Sequence, residues 1–197
     1  MRPWVSGLIL AAGRSSRLGR PKQLLPFRGT TLLGWVVERV TSAAALDEVV
    51  AVLAGAASEV RAAVDLGRAR VAENPEFGEG CSSSYRTGIG ALDPRAEAVV
   101  VVPGDQPGIE AADVDRVVEA WRAAGGAIVM ASYLGGPGHP LLFARSLFSE
   151  LIALKGDKAA WKLLDVHPDQ VRRVEMGRPL PADVDTWQDY EAALRGS

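Results

Sequence analysis

The chain has one cysteine, Cys81, and two histidines, His139 and His167, among 197 residues. A lone cysteine excludes an internal disulfide framework and any zinc site built from several cysteines. With so few histidines there is no Ser–His–Asp or Cys–His constellation for nucleophilic catalysis. Long hydrophobic runs are missing too, since none approaches the roughly 20 apolar residues that a membrane span needs. The apolar run at residues 8–12 is too short for a signal peptide and dense positive charge follows it, so the expected compartment is the cytoplasm. The most local absence is of acid. The first 37 residues carry six Lys or Arg and no Asp or Glu, although the chain as a whole is net −2. One positive spot in a slightly acidic protein excludes nucleic acid, which takes a long basic stripe, and points to a bound polyphosphate.

What is present reads as an ordinary soluble globular chain. At 48% hydrophobic and 23% charged residues, a single domain over residues 1–197 with a substantial core is expected. Strand-type runs occur at residues 5–12, 48–54, 69–72, 98–102, 127–131 and 171–175. Helical spacing occurs at 32–40, with Thr30 or Thr31 as N-cap, and at 60–66, 82–92, 111–124, 145–153, 157–165 and from 187. The run Val99-Val100-Val101-Val102 is apolar throughout, as a central strand covered on both faces must be. Such alternation predicts a parallel sheet with helices on both sides. Residues 135–140, Gly-Gly-Pro-Gly-His-Pro, are expected to form a loop.

In an open α/β sheet, ligands bind beyond the carboxyl ends of the strands, and three segments fall there. After the first strand comes Ala11-Ala12-Gly13-Arg14-Ser15-Ser16-Arg17-Leu18-Gly19-Arg20-Pro21-Lys22. Its small residues let backbone N–H groups approach an anion, and Arg17 and Lys22 are its best-placed cations. Arg14, Arg20 and Arg28 would be a supporting field, and Arg2 incidental. No Gly-Lys-Ser/Thr follows, so this is not a Walker A loop, and Gly13 and Gly19 do not fit a dinucleotide fingerprint. A solvated turn before a helix is the alternative. After the Val99–Val102 run stands Asp105, in Pro103-Gly104-Asp105-Gln106-Pro107. It is a candidate ligand for Mg²⁺, which takes one or two carboxylates plus phosphate oxygens, or else it closes a turn. Before the last helix come Asp183 and Asp185, placed on one side of an extended segment by its alternation. Both could face one site, or one could N-cap the helix. A fourth segment, Asn74 to Ser84, leads into a helix near Ser82. Its hydroxyls could touch a base or ribose, or simply cap. Cys81 is read as a packing residue, His167 and the five tryptophans as structural, and His139 as a possible substrate contact.

Leu10-Ala11-Ala12-Gly13-x-Ser15-x-Arg17-Leu18-Gly19-x-Pro21-Lys22-x-Leu24-Leu25-Pro26 resembles the signature loop of nucleotidyltransferases with a MobA-like fold. Asn74-Pro75 with Gly80 and Ser84, Gly104-Asp105-Gln106-Pro107, Gly138-His139-Pro140, Gly156-Asp157-Lys158 and Asp183-Val184-Asp185-Thr186 extend the resemblance over nearly the whole chain. Within those enzymes it is most like the molybdenum cofactor cytidylyltransferases. The resemblance implies a three-layer α/β/α Rossmann-like fold with a mostly parallel central sheet. It also implies transfer of CMP from CTP to the phosphate of a molybdopterin-type acceptor, with Mg²⁺ as cofactor and pyrophosphate as product. Carried over residue by residue, it places Ala11, Ala12 and Gly13 against base and ribose, with Gly104 beside them. Arg17 and Lys22 would hold the triphosphate, Asn74, Gly80 and Ser84 would select the base, and Asp105 and Asp185 would hold the metal. His139 would lie toward the acceptor. Transient contact with a molybdoenzyme maturation protein is a further implication. The chain departs from the pattern at Ala159-Ala160-Trp161, where the family often has Gly-Ala-Arg, and at Trp187, where proline is usual. A sugar-phosphate or polyol-phosphate acceptor, and a non-catalytic nucleotide-binding module, are the competing readings.

Overall fold

The structure is a computed structural model that describes residues 2–13, 15, 17–156 and 159–196, the side chains of Glu79 and Ala159 excepted. In chain order its elements are strand β1 (Val5–Leu10), the short pair β2 (Pro26–Phe27) and β3 (Thr30–Thr31), helix α1 (Leu32–Thr41), β4 (Glu48–Leu53), α2 (Ala57–Ala63), β5 (Arg70–Glu73) and α3 (Cys81–Gly90). There follow β6 (Ala98–Pro103), α4 (Ala111–Ala124), β7 (Ile128–Tyr133), β8 (Gly136–Ala144), α5 (Phe148–Ala153), α6 (Ala159–Val166), β9 (Val171–Glu175) and α7 (Trp187–Arg195). Seven strands make one sheet in the order β5-β4-β1-β6-β8-β7-β9. β1 is parallel to β4 and β6, β4 to β5, and β7 to β9, while β8 runs antiparallel between β6 and β7.

Strand alternation divides the core into two layers. On one face Val5, Ile9, Val100 and Val102 pack with Val36, Val37 and Val40 of α1, Val60 of α2 and Val114, Val117 and Val118 of α4. On the other, Leu8, Val50, Val99 and Val101 pack with Tyr85 and Ile89 of α3, Leu151 of α5 and Leu163 of α6. The Val99–Val102 run is fully buried on both faces, as its unbroken apolar character requires. This is the three-layer, mostly parallel architecture that the alternation predicts. Among the described residues no helix is long and apolar enough to cross a membrane. Thr31 caps α1, its side chain accepting from Gly34 N at 3.0 Å, a contact worth about 1 kcal/mol.

Two local expectations shift. α2 ends at Ala63 because Val64 turns extended; Val64 still packs in the same core layer, so its burial imitates helical periodicity. The Gly–Pro segment at 135–140 is a strand, not a loop, from Gly136 onward. It tolerates Pro137 because β6 pairs only with residues 141–144 of β8, so the earlier residues have β7 alone beside them. Met130 is opposite Leu141 but Ala131 is opposite Gly138. His139 and Pro140 therefore form a bulge, the position in a sheet where proline is admitted and a side chain re-aimed.

A third cluster joins α7 to the opening segment. Leu18, Leu25, Phe27, Leu32 and Val184 are buried together, with Trp35 and Tyr190 against them, and the Tyr190 hydroxyl donates to Pro26 O. The C-terminal acids are thereby held over the opening loop.

Candidate active site

From β1 the chain runs outward through β4 to β5 and then returns to β6 on the opposite side of β1. The reversal opens a crevice at the carboxyl ends of β1 and β6, where such sheets bind ligands. Leu10 is in register with Pro103, and Gly104 N donates to Leu10 O at 2.8 Å. A Cβ on Gly104 would lie 2.8 Å from Ala11 Cβ, so glycine is what lets the two loops close up. Between them opens a cavity of about 520 Å³, lined by Ala11, Ala12, Gly13, Lys22, Gly80, Ser84, Gly104, Asp105 and His139 among others.

Charge gathers on one ammonium at its edge. Lys22 Nζ lies 2.5 Å from Asp105 Oδ2 and 2.8 Å from Asp185 Oδ1, and Arg17 Nη1 lies 3.2 Å from Asp185 Oδ2. Val184 N donates to Asp105 O at 2.9 Å, which ties the segment bearing Asp185 to the end of β6. Burial disfavours the charged Lys22, but Asp105 and Asp185 outweigh it and hold its pKa above the ordinary value. Asp105 is raised, burial prevailing over the attraction of Lys22, with Asp183 and Asp185 adding repulsion. The more exposed Asp185 is lowered by its hydrogen bond from Lys22. Two carboxylates sharing one cation thus move in opposite directions because burial prevails at Asp105, whereas at the more exposed Asp185 the hydrogen bond from Lys22 outweighs it.

The other expected residues are placed as follows. Arg17 is exposed and reaches the site through Asp185. Asn74 is buried beneath the cavity wall rather than in it; its Nδ2 donates to Ser83 Oγ at 2.9 Å and Ser84 Oγ at 3.2 Å. It therefore sets the Ser84 hydroxyl that the cavity sees. Asp183 lies close enough to repel Asp105 but accepts from Gln106 Nε2 at 2.8 Å. Neither acid caps α7, because Thr186 does so with Asp189 in a reciprocal capping box. His139 is half-buried in the cavity wall, its ring edge-on to Trp161 with centroids 5.8 Å apart; burial lowers its pKa to about 4, so the imidazole is neutral at pH 7. Cys81 lines the cavity and packs on the α3 core layer. His167 sits 2.7 Å from Glu150 on the far helices. Arg28 stacks near Phe27 and Trp35, Arg20 over Trp187, and Arg2 pairs with Asp47. Arg14, Asp157 and Lys158 lie outside the described residues.

The model of the MobA-like NTP transferase domain matches residues 7–172. The chain belongs to that family. Nicotine blue oxidoreductase of Paenarthrobacter nicotinovorans is 34% identical over 93% of this chain and 93% of its own length. Molybdenum cofactor cytidylyltransferase of Escherichia coli K12 is 23% identical over 94% and 93%. A probable molybdenum cofactor guanylyltransferase of Thermococcus sibiricus is 28% identical over 80% and 77%. Among solved structures, Rv0371c from Mycobacterium tuberculosis H37Rv superposes with a TM-score of 0.90 at 40% identity, covering 100% of both chains. A manganese complex of Rv0371c superposes at 0.87 with 38% identity, covering 98% of this chain and 100% of that one.

Whether this member of the MobA-like family could hold a divalent ion depends on its donors. Among the described residues no group of three or more His, Cys, Asp or Glu is gathered for a metal. Asp105 and Asp185 supply two carboxylates on a common cation. That suits a hard ion completed by phosphate oxygens and water, and does not suit a metal held by protein alone. Gln23, Phe77, Tyr85 and Trp161 also line the cavity, although sequence reading assigned none of them a site role. Gln23 was signalled by its place beside Lys22, Phe77 by its place in the Asn74–Ser84 segment and Trp161 by standing where the family often has arginine; Tyr85 carries nothing local that marks it.

Proposed function

We propose that the protein is a single-domain cytidylyltransferase that moves CMP from CTP to a phosphorylated acceptor of molybdopterin type in the cytoplasm. The observation that carries this reading is the Lys22 ammonium seated between Asp105 and Asp185 at the ligand edge of β1 and β6. The family and the curated cytidylyltransferase relative support the choice of reaction and acceptor.

In the reaction an oxygen of the acceptor phosphate forms a bond to the α-phosphorus of CTP as the bond to the β-phosphate oxygen breaks and pyrophosphate leaves. A phosphate monoester is already anionic at pH 7, so no general base is needed, in keeping with a cavity whose histidine is neutral. An ammonium has three N–H donors. Two serve the carboxylates, which leaves Lys22 one donor for a phosphate oxygen as charge develops on the leaving group. Backbone N–H groups near Ala12 and Gly13 and the exposed Arg17 add positive potential on the same side. Mg²⁺ held by Asp105 and Asp185 would polarise the α-phosphate. Alignment of bound reactants supplies on the order of 7–11 kcal/mol in reactions of this kind.

Thermal unfolding with each nucleoside triphosphate, with and without Mg²⁺, tests the reading. CTP should raise the midpoint more than GTP, ATP or UTP, and only with metal; no shift with any triphosphate overturns it. One observation favours a second reading, the oxidoreductase name of the Paenarthrobacter relative. A shift with NADH or NADPH and none with triphosphates would support that instead.

A further inference from the structure

The acids expected to hold the metal already hold cations. Asp105 Oδ2 accepts from Lys22 Nζ at 2.5 Å, and Asp185 Oδ1 accepts from the same Nζ at 2.8 Å. Asp185 Oδ2 accepts from Arg17 Nη1 at 3.2 Å. Both oxygens of Asp185 are thus taken, and Asp105 Oδ1 alone of the four accepts from none of the described residues. A divalent ion that ligates Asp185 therefore meets a positive group. One that ligates both acids meets Lys22, which touches both, and like charges this close repel strongly in a partly desolvated site.

The two cations are not equivalent. Arg17 is 68% exposed and touches Asp185 alone, so it moves aside into water at small cost. Lys22 is 11% exposed, and its backbone is pinned. Its N–H donates to Ser15 Oγ at 3.0 Å, and its carbonyl accepts from Leu25 N at 3.1 Å. Only the side chain is free to re-aim. A Cβ on Gly13 would lie 3.8 Å from Lys22 Cε, so the stem runs beside the 11–13 loop, where the triphosphate is expected. The ammonium thus has two sets of partners within reach: carboxylates in the nucleotide-free chain, and phosphate oxygens once a triphosphate lies against the loop. We propose that Lys22 is a resident counter-ion for the metal ligands, and that the metal enters as a triphosphate draws the ammonium off at least one acid. Metal and triphosphate then bind cooperatively, by the same factor whichever comes first. The inference rests on the nucleotidyltransferase reading and gives Lys22 a duty before the chemistry begins.

The test measures Mn²⁺ binding to the nucleotide-free full chain through loss of the free ion's paramagnetic resonance signal. Wild type should bind it weakly, because apparent affinity falls by the fraction of molecules whose acids are not closed on Lys22. Lys22→Met should tighten binding about tenfold or more, and adding Asp105→Asn to that variant should abolish the gain. Arg17→Ala should tighten it at most about fivefold, the worth of an exposed ion pair. Binding by Lys22→Met no tighter than wild type overturns the proposal, since a lysine that merely supports the site gives that result. A gain as large in Arg17→Ala overturns it as a diffuse effect of charge. A gain that survives Asp105→Asn overturns it as binding elsewhere. Where Lys22→Met fails to fold, Lys22→Gln takes its place. Calorimetry with CTP, GTP, ATP and UTP, with and without Mg²⁺, accompanies these measurements. Binding of no triphosphate to wild type overturns the nucleotidyltransferase reading itself. It is told apart from a failed exchange, in which triphosphates bind but Lys22→Met brings no gain in Mn²⁺ affinity.

Discussion

Replacing Lys22 by Met removes the cation that Asp105 and Asp185 share. Asp185 is 46% exposed and keeps Arg17 at 3.2 Å, so water and the guanidinium make good most of its loss. Asp105 has no such relief. Its side chain is 21% exposed, and Asp183 and Asp185 both repel its charge. Removing one partner of a buried pair costs about 3–5 kcal/mol where the remaining charge cannot be neutralised. Here protonation sets a ceiling. A carboxyl with the ordinary pKa near 3.9 takes up a proton at pH 7 for about 4 kcal/mol, and each lower unit of pH removes about 1.4 kcal/mol of that. Because burial already raises Asp105, its ceiling lies below this. The variant should lose about 2–4 kcal/mol at pH 7 and at most about 1.5 kcal/mol at pH 5. In the wild-type protein the pKa of Lys22 is raised, so its contribution is fully present below the unfolded value of 10.5 and disappears only as pH rises through the folded one. Urea unfolding of both proteins at pH 7 and pH 5 reads the difference directly. An equal loss at the two values, or a loss below about 0.5 kcal/mol at pH 7, refutes the buried-pair reasoning.

Arg17→Ala should leave the unfolding midpoint nearly unchanged, since an exposed ion pair contributes at most about 1 kcal/mol, while cutting pyrophosphate release more than about tenfold by removing positive potential near the phosphates. Gly104→Ala forces a Cβ to within 2.8 Å of Ala11 Cβ and 3.2 Å of Leu10 O. It should cost about 1–3 kcal/mol in urea unfolding and weaken triphosphate binding, because the backbone at Ala11 must move to admit it. The lowered pKa of His139, about 4, means that between pH 6.5 and 4 the unfolded chain binds a proton that the folded one refuses. Wild-type stability should therefore fall with pH across that window by up to about 3 kcal/mol, the cavity-facing part of the ring lessening it. His139→Asn should flatten that part of the pH profile, and an unchanged profile would show that the imidazole does not titrate as described.

The central layers were legible because each rests on local chemistry. Val99–Val102 could only be a strand covered on both faces, and Asp105 at its end then had to lie at the ligand edge. Lys22 followed from a run of cations with no acid near. The pairing of Gly136 to Gly138 with β7 alone was not legible, since the Gly–Pro composition says loop and a strand is permitted only because β6 pairs with β8 no further than Leu141. Asn74 reads as a ligand contact from sequence because nothing local says that its amide turns inward to Ser83 and Ser84. The approach of Trp161 to His139 depends on the β8 bulge and on α6 packing over it.

Release of pyrophosphate tests the central claim most directly. The protein is incubated with CTP, Mg²⁺ and a phosphorylated pterin-type acceptor, and pyrophosphate is followed against time for wild type, Lys22→Met and Asp105→Asn. Wild type should release it only when nucleotide, acceptor and metal are all present. Lys22→Met should be slower by more than about tenfold, and Asp105→Asn should need more Mg²⁺ to reach half its rate. Release that is equally fast in all three proteins, or a magnesium titration of Asp105→Asn that overlays wild type, would contradict the account.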